Sequence, residues 1–172
     1  PFEIVPGITS ALGAAAYAGI PLTHRDLASD VAFASGHDLA GVRGSHTDFA
    51  PLAAAGGTLV LYMATRALAA NLARLVTLGR AKDTPAALIV RATTAGHRVV
   101  EGTLDDLAQR AAGVDEHEPA LVVVGDVVGK RAVVRWWDRR PLAGRRVLLG
   151  RARPEPSDLA GALRRAGATV VE

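Results

Sequence analysis

Short apolar runs rich in β-branched residues alternate along the chain with segments of helical period. That is the pattern of an α/β domain whose helices cover a sheet. Strands are predicted at Phe2–Val5, Val31–Ser35, Thr58–Met63, Ala86–Arg91, His97–Glu101 and Ala120–Gly125. The runs Leu121-Val122-Val123-Val124 and Thr58-Leu59-Val60-Leu61-Tyr62 have no polar alternate face, so both of their sides are predicted to be covered. The plainest helix spans Arg66 to Leu78, where Leu68, Leu72, Leu75 and Val76 share one face; Thr65 is its predicted N-cap and Gly79 its C′ residue. A second helix is predicted to start at Thr103, with Asp105 and Asp106 in the first turn where the helix dipole favours acids. A third, Ala-rich helix covers Thr9 to Tyr17 after Pro6-Gly7.

The pattern restarts after Trp136-Trp137-Asp138-Arg139-Arg140-Pro141. A strand at Val147–Leu149 leads through Arg153-Pro154-Glu155-Pro156-Ser157 to a helix carrying Leu159, Leu163 and Ala166, then to a strand entrance at Thr169–Val171. Charge breaks at the same place. Residues 1–138 hold 12 basic and 14 acidic side chains, a net −2, whereas residues 139–172 hold 8 and 3, a net +5. A boundary is therefore expected near Asp138, with 139–172 a linker and the opening of another domain. A parallel βαβ unit needs a sheet to join, so this tail is expected to be a truncated βα segment.

Composition narrows the function classes. With 49% hydrophobic and 22% charged residues, wholesale disorder is excluded. The absence of Cys removes disulfides and thiolate sites and points to a cytoplasmic protein. Much of the apolar total is 34 Ala, and the basic residues are 18 Arg against 2 Lys. The bias reads as genome composition rather than nucleic-acid binding. Arg135, Arg139 and Arg140 around Trp136-Trp137 suggest a stacking platform, but an apolar anchor that closes the domain is the stronger reading. No apolar run reaches the roughly 18 to 20 residues of a membrane span. Pro1 opens the chain without Met or a basic leader, in a strand-like run. The expectation is that both ends are cut.

Val5-Pro6-Gly7-Ile8-Thr9-Ser10-Ala11, followed by Ala18-Gly19-Ile20-Pro21-Leu22-Thr23-His24-Arg25-Asp26, resembles the tetrapyrrole methylases, and among them the uroporphyrinogen-III C-methyltransferases. Ser35-Gly36-His37, Thr58–Met63 and Pro119–Gly125 with Val127-Val128 continue the likeness over residues 1–138. The resemblance implies a C-terminal αβα domain with a mixed sheet, S-adenosyl-L-methionine as methyl donor, uroporphyrinogen III as substrate, precorrin-2 for sirohaem or cobalamin as product, and a homodimer. It also implies an N-terminal domain carrying a Gly-rich loop and the acid and base residues. These would lie upstream of Pro1, so no catalytic residue is assigned and the chain alone is expected to be inactive. The tail from Pro141 resembles the opening of uroporphyrinogen-III synthase. A non-catalytic dimerisation module on the same fold is the alternative.

Local sequence alone reads Pro6–Ser10 as a strand, a turn and a helix start whose N–H groups and hydroxyls face a cleft or merely cap the helix. The resemblance implies that Thr9 and Ser10, a Ser where Ala is usual, lie against the donor. Met63 is core filler on local grounds and a donor contact by resemblance. Ala92, where Gly is common, and Ala120 with Leu121 are implied to act through backbone and shape. His24 and Arg25 either bind substrate carboxylates or fix their own loop through Asp26 or Asp30. His37, His46, His97 and His117 lack metal-ligand spacing and read as solvated or capping residues, so no metal is expected. Gly36-His37-Asp38 with Gly41 and Gly44 matches no nucleotide fingerprint.

Overall fold

The computed structural model describes residues 2–37, 47–150 and 158–171. Five strands form the main sheet: β1 (Val31–Ser35), β2 (Thr58–Tyr62), β3 (Pro85–Val90), β4 (Arg98–Thr103) and β5 (Ala120–Val124). Their order is β1-β2-β5-β3-β4. β1 runs parallel to β2, and β5 is antiparallel to both β2 and β3. β4 returns antiparallel to β3. The sheet is therefore mixed, as expected.

Alternation along the central strands divides the core into two layers. Leu59, Leu61, Leu88, Val122 and Val124 face one side, where α2 (Phe49–Ala54), α3 (Leu68–Thr77) and α4 (Leu107–Arg110) supply Phe49, Leu72, Leu75 and Leu107. Val60, Ala87, Ile89, Leu121 and Val123 face the other, against Ala11, Ala14, Ala15 and Ala18 of α1 (Ser10–Ala18). The alanines let α1 approach closely, and its C-cap Gly19 has φ 71°. A Cβ there would meet the backbone of Val134 and Arg135 at 2.8 Å.

Several boundaries differ from the sequence expectations. Phe2–Val5 forms no strand; Phe2, Ile4 and Val5 are all more than four-fifths exposed. Apolar pattern makes a strand only where a neighbouring edge accepts its hydrogen bonds. The N-cap of α3 is Ala67 rather than Thr65, whose carbonyl instead accepts from Leu68 in the preceding turn. Gly79 ends that helix with φ 102°, as predicted. Thr103 completes β4 instead of opening a helix. Asp106, the N-cap of α4, accepts its N–H at 2.7 Å and its hydroxyl at 3.1 Å. The Thr103 N–H and the Arg110 side chain hold the Asp106 carboxyl below the usual carboxylate range.

After β5 a 3₁₀ turn (Asp126–Lys130) leads into α5 (Arg131–Val134) and the tryptophan pair. Trp136 donates from Nε1 to the Ala16 carbonyl at 2.9 Å. Trp137 packs against Tyr17 with ring centres 4.3 Å apart and planes tilted by 54°, and the Arg140 guanidinium lies 3.1 Å from the Trp137 ring centre. The pair thus anchors this segment to α1. The tail pairs β6 (Arg146–Leu148) with β7 (Thr169–Val171) in parallel across α6 (Asp158–Arg165). It closes a small βαβ unit where an open βα segment was expected. Residues 151–157 and 38–46, including His46, Gly41 and Gly44, lie outside the described residues.

Two buried arginines bind these layers. Arg80 donates to the carbonyls of Gly57 at 2.6 Å, Ala55 at 3.2 Å and Leu52 at 3.3 Å, and burial lowers its pKa. Arg131 meets Glu101 at 3.2 Å and Asp138. Replacing Arg80 with Met keeps the apolar stem and strands three carbonyls. The expected cost is about 2 to 4 kcal/mol, read as a lower urea midpoint with unchanged slope.

His97 sits against Trp137 with both ring nitrogens buried and unpartnered. Burial pushes its pKa below the ordinary 6.5; Arg131 and Arg140 act in the same sense and Asp138 opposes them. As pH falls through 6.5 the unfolded chain takes up this proton before the folded one does, so stability is lost with acidification over that window. His97→Gln should flatten the thermal midpoint between about pH 7.5 and about pH 5.5. An unchanged slope would refute this.

Candidate functional site

Strand direction decides where the site forms. β1, β2 and β3 end at the edge of the sheet where antiparallel β5 begins. The residues leaving β2 and β3 and those entering β5 therefore converge there with the first turn of α1. Between them lies a cavity of about 690 Å³, within the range of small-molecule sites. Thr9, Ser10, Met63, Ala92, Ala120 and Leu121 all line it. Its floor is apolar, from Ala14, Ile89 and Leu121.

Thr9 is the N-cap of α1 but makes no side-chain cap. Its hydroxyl is bonded instead to the Tyr62 hydroxyl at the end of β2. The first intrahelical acceptance is Leu12 N–H to the Thr9 carbonyl at 3.1 Å. The helix thus opens without a capping side chain, with Thr9 and Ser10 on the cavity wall.

Three non-glycine residues at this edge have left-handed backbones: Met63 at φ 51°, Arg91 at φ 48° and Thr93 at φ 68°. Such conformations are costly for residues with a Cβ and cluster at functional sites. Met63 is 63% exposed, so it is not core filler. Ala92 stands between two strained neighbours and is not itself left-handed, which is why Ala serves there.

The rim is charged. Arg66 pairs with Glu116 at 3.4 Å, and Glu118 meets Arg91 at 3.7 Å as well as Arg98. Sequence reasoning missed Tyr62, these pairs and His37. His37 reaches the cavity from the end of β1, tied down by its N–H to Ser35 Oγ at 3.2 Å. The Ser-Gly-His motif was the available signal for His37; the ion pairs had none, because their partners are distant in sequence.

His24 and Arg25 lie apart from this cavity. Arg25 lines a hollow of about 340 Å³ with Asp26, Asp30, Gly56 and Gly57, where β1 and β2 begin. Within that loop it is His24 that engages Asp26, accepting its N–H at Nδ1 at 3.2 Å. Among the described residues no three or more His, Cys, Asp or Glu gather as a metal cluster, and no helix is long and apolar enough to cross a membrane.

Comparison with known proteins supplies the family. The family model for tetrapyrrole (corrin/porphyrin) methylases matches residues 1–108. The siroheme synthase of Pseudomonas paraeruginosa is 49% identical over 140 residues, 80% of this chain and 29% of the relative. That of Tolumonas auensis is 44% identical over 152 residues, 88% of this chain and 32% of the relative. This chain thus spans less than a third of either. Among solved structures, the uroporphyrin-III C-methyl transferase of Thermus thermophilus complexed with S-adenyl homocysteine superposes with a TM-score of 0.61 at 37% identity, over 75% of this chain and 54% of that one. A cobalt precorrin-4 methyltransferase superposes with a TM-score of 0.63 at 27% identity, over 73% and 52% of the two chains. On its sequence and its fold, the chain belongs to the tetrapyrrole methylases.

Proposed function

We propose that this chain forms one wall of the S-adenosyl-L-methionine site of a uroporphyrinogen-III C-methyltransferase that yields precorrin-2 for sirohaem or cobalamin. One observation carries the reading: Thr9, Ser10, Met63, Ala92, Ala120 and Leu121, from four separate stretches of chain, line a single cavity. Its chemistry suits an amphiphilic donor. The apolar floor of Ala14, Ile89 and Leu121 matches a flat purine. The uncapped helix start and the hydroxyls of Ser10 and Thr93 match polar ring edges and a ribose. The Arg66–Glu116 pair on the rim matches an amino-acid end bearing both signs.

When bound, the donor supplies an electrophilic methyl on a sulfonium. The work of these residues is positioning and exclusion of water. Met63, held at a left-handed corner and exposed toward the cavity, contributes a soft thioether contact without competing charge. Tyr62 fixes the Thr9 turn and so sets the distance between α1 and the strand ends. The reading does not depend on His24 and Arg25. Residues 139–172 are read as the opening of a uroporphyrinogen-III synthase-like domain, and homodimerisation belongs to the same proposal.

Calorimetric titration with S-adenosylhomocysteine is expected to give saturable heat, with Met63→Ala weakening binding about tenfold, the value of one buried thioether side chain. No heat at millimolar ligand would favour the non-catalytic dimerisation module instead. Supplied with donor and uroporphyrinogen III, the 172-residue chain by itself is expected to bind without transferring methyl. Appearance of precorrin-2 absorbance would overturn that expectation.

A further inference from the structure

We infer that Glu118 is a positioning residue of this site: anchored by Arg98, its carboxylate holds Arg91 and with it the left-handed Arg91–Thr94 turn that walls the cavity. The inference rests on the donor-site reading above. Glu118 is 18% exposed at its side chain and stands just before β5, where arginines from the end of β3 and the start of β4 reach its carboxylate. Arg98, paired in register with Val90, binds it from β4; Arg91, one residue past Val90, reaches it at 3.7 Å. The same junction is tied through the backbone, where Arg91 N–H donates to the Pro119 carbonyl at 2.8 Å.

The turn itself is closed from within by Thr94, whose hydroxyl donates to the Arg91 carbonyl at 2.7 Å and accepts from Gly96 N–H at 3.1 Å. The Arg91 side chain folds over Gly96, where a Cβ would lie 3.3 Å from its Cδ. Residues Arg91 and Thr93 adopt left-handed backbones without being glycine, so contacts outside the turn must favour that conformation. Among the described residues, Glu118 is the one carboxylate that reaches both Arg91 and Arg98. It does not need to touch the donor to act.

Glu118→Gln removes the charge and keeps the shape. S-adenosylhomocysteine should bind roughly two- to fivefold more weakly, the scale of a partly exposed ion pair, and the Thr94, Gly96 and His97 amides of the ligand-free chain should exchange faster. Glycine adopts the left-handed backbone unaided, so in an Arg91→Gly background the same Glu118→Gln change should cost no further affinity. Unchanged binding or unchanged exchange in Glu118→Gln would overturn the inference. An equal loss in both backgrounds would do so too, because Glu118 would then act otherwise than through Arg91. Absence of heat with the wild-type chain would overturn the donor-site reading itself and this inference with it, a failure distinguishable from one confined to the variants.

Discussion

Strand β5 lies between β2 and β3, antiparallel to both, with Leu121 to Val124 covered on each face. Four such side chains, at roughly 1.5 to 3 kcal/mol apiece, represent about the entire net stability of an ordinary domain. The strand therefore cannot be left at an edge, and the two helical layers are arranged to cover it. Neighbouring residues divide the work. Val122 and Val124 face the layer of α2, α3 and α4, and Leu121 and Val123 face α1.

The reversed direction of this strand also builds the cavity. Were β5 parallel to its neighbours, the residues entering it would lie at the far edge, beside the hollow of Arg25 and Asp30. Because it runs the other way, Pro119, Ala120 and Leu121 meet Met63 and the Arg91–Thr94 turn. Sharp exits are then needed at the ends of β2 and β3. The left-handed residues Met63, Arg91 and Thr93 stand where those strands stop and the chain must clear the opening.

Most of this fold was legible because the buried strands have no polar face and the helices keep their period. Met63, Ala92, Ala120 and Leu121 were legible as donor contacts only through resemblance, since locally Met63 reads as core filler; for Thr9 and Ser10 the local sequence left a cleft-facing turn and a mere cap both open. What failed did so for tertiary reasons. Phe2–Val5 has the composition of a strand but no partner edge among the described residues. Thr103 looked like a cap, but pairing with Pro85 kept it in β4 and left Asp106 to bond back to its N–H. Helices α2 and α5, of six and four residues, are too short for periodicity to announce. Tyr62 was counted as part of a strand, and nothing local reveals that its hydroxyl meets Thr9, 53 residues away.

The basic excess takes a different meaning once the arginines are placed. Arg80 and Arg131 are interior donors to carbonyls and carboxylates. Arg140 lies on Trp137, and Arg66, Arg91 and Arg98 face Glu116 and Glu118. A planar guanidinium with five donors and weak hydration suits such positions better than an ammonium does. Arginine here serves as a means of joining elements that short loops and a small aromatic complement, 4% of residues, cannot join alone. Net charge is consequently a poor description of the cavity rim, where cations and carboxylates alternate, and a bound molecule meets oriented pairs rather than a field of one sign.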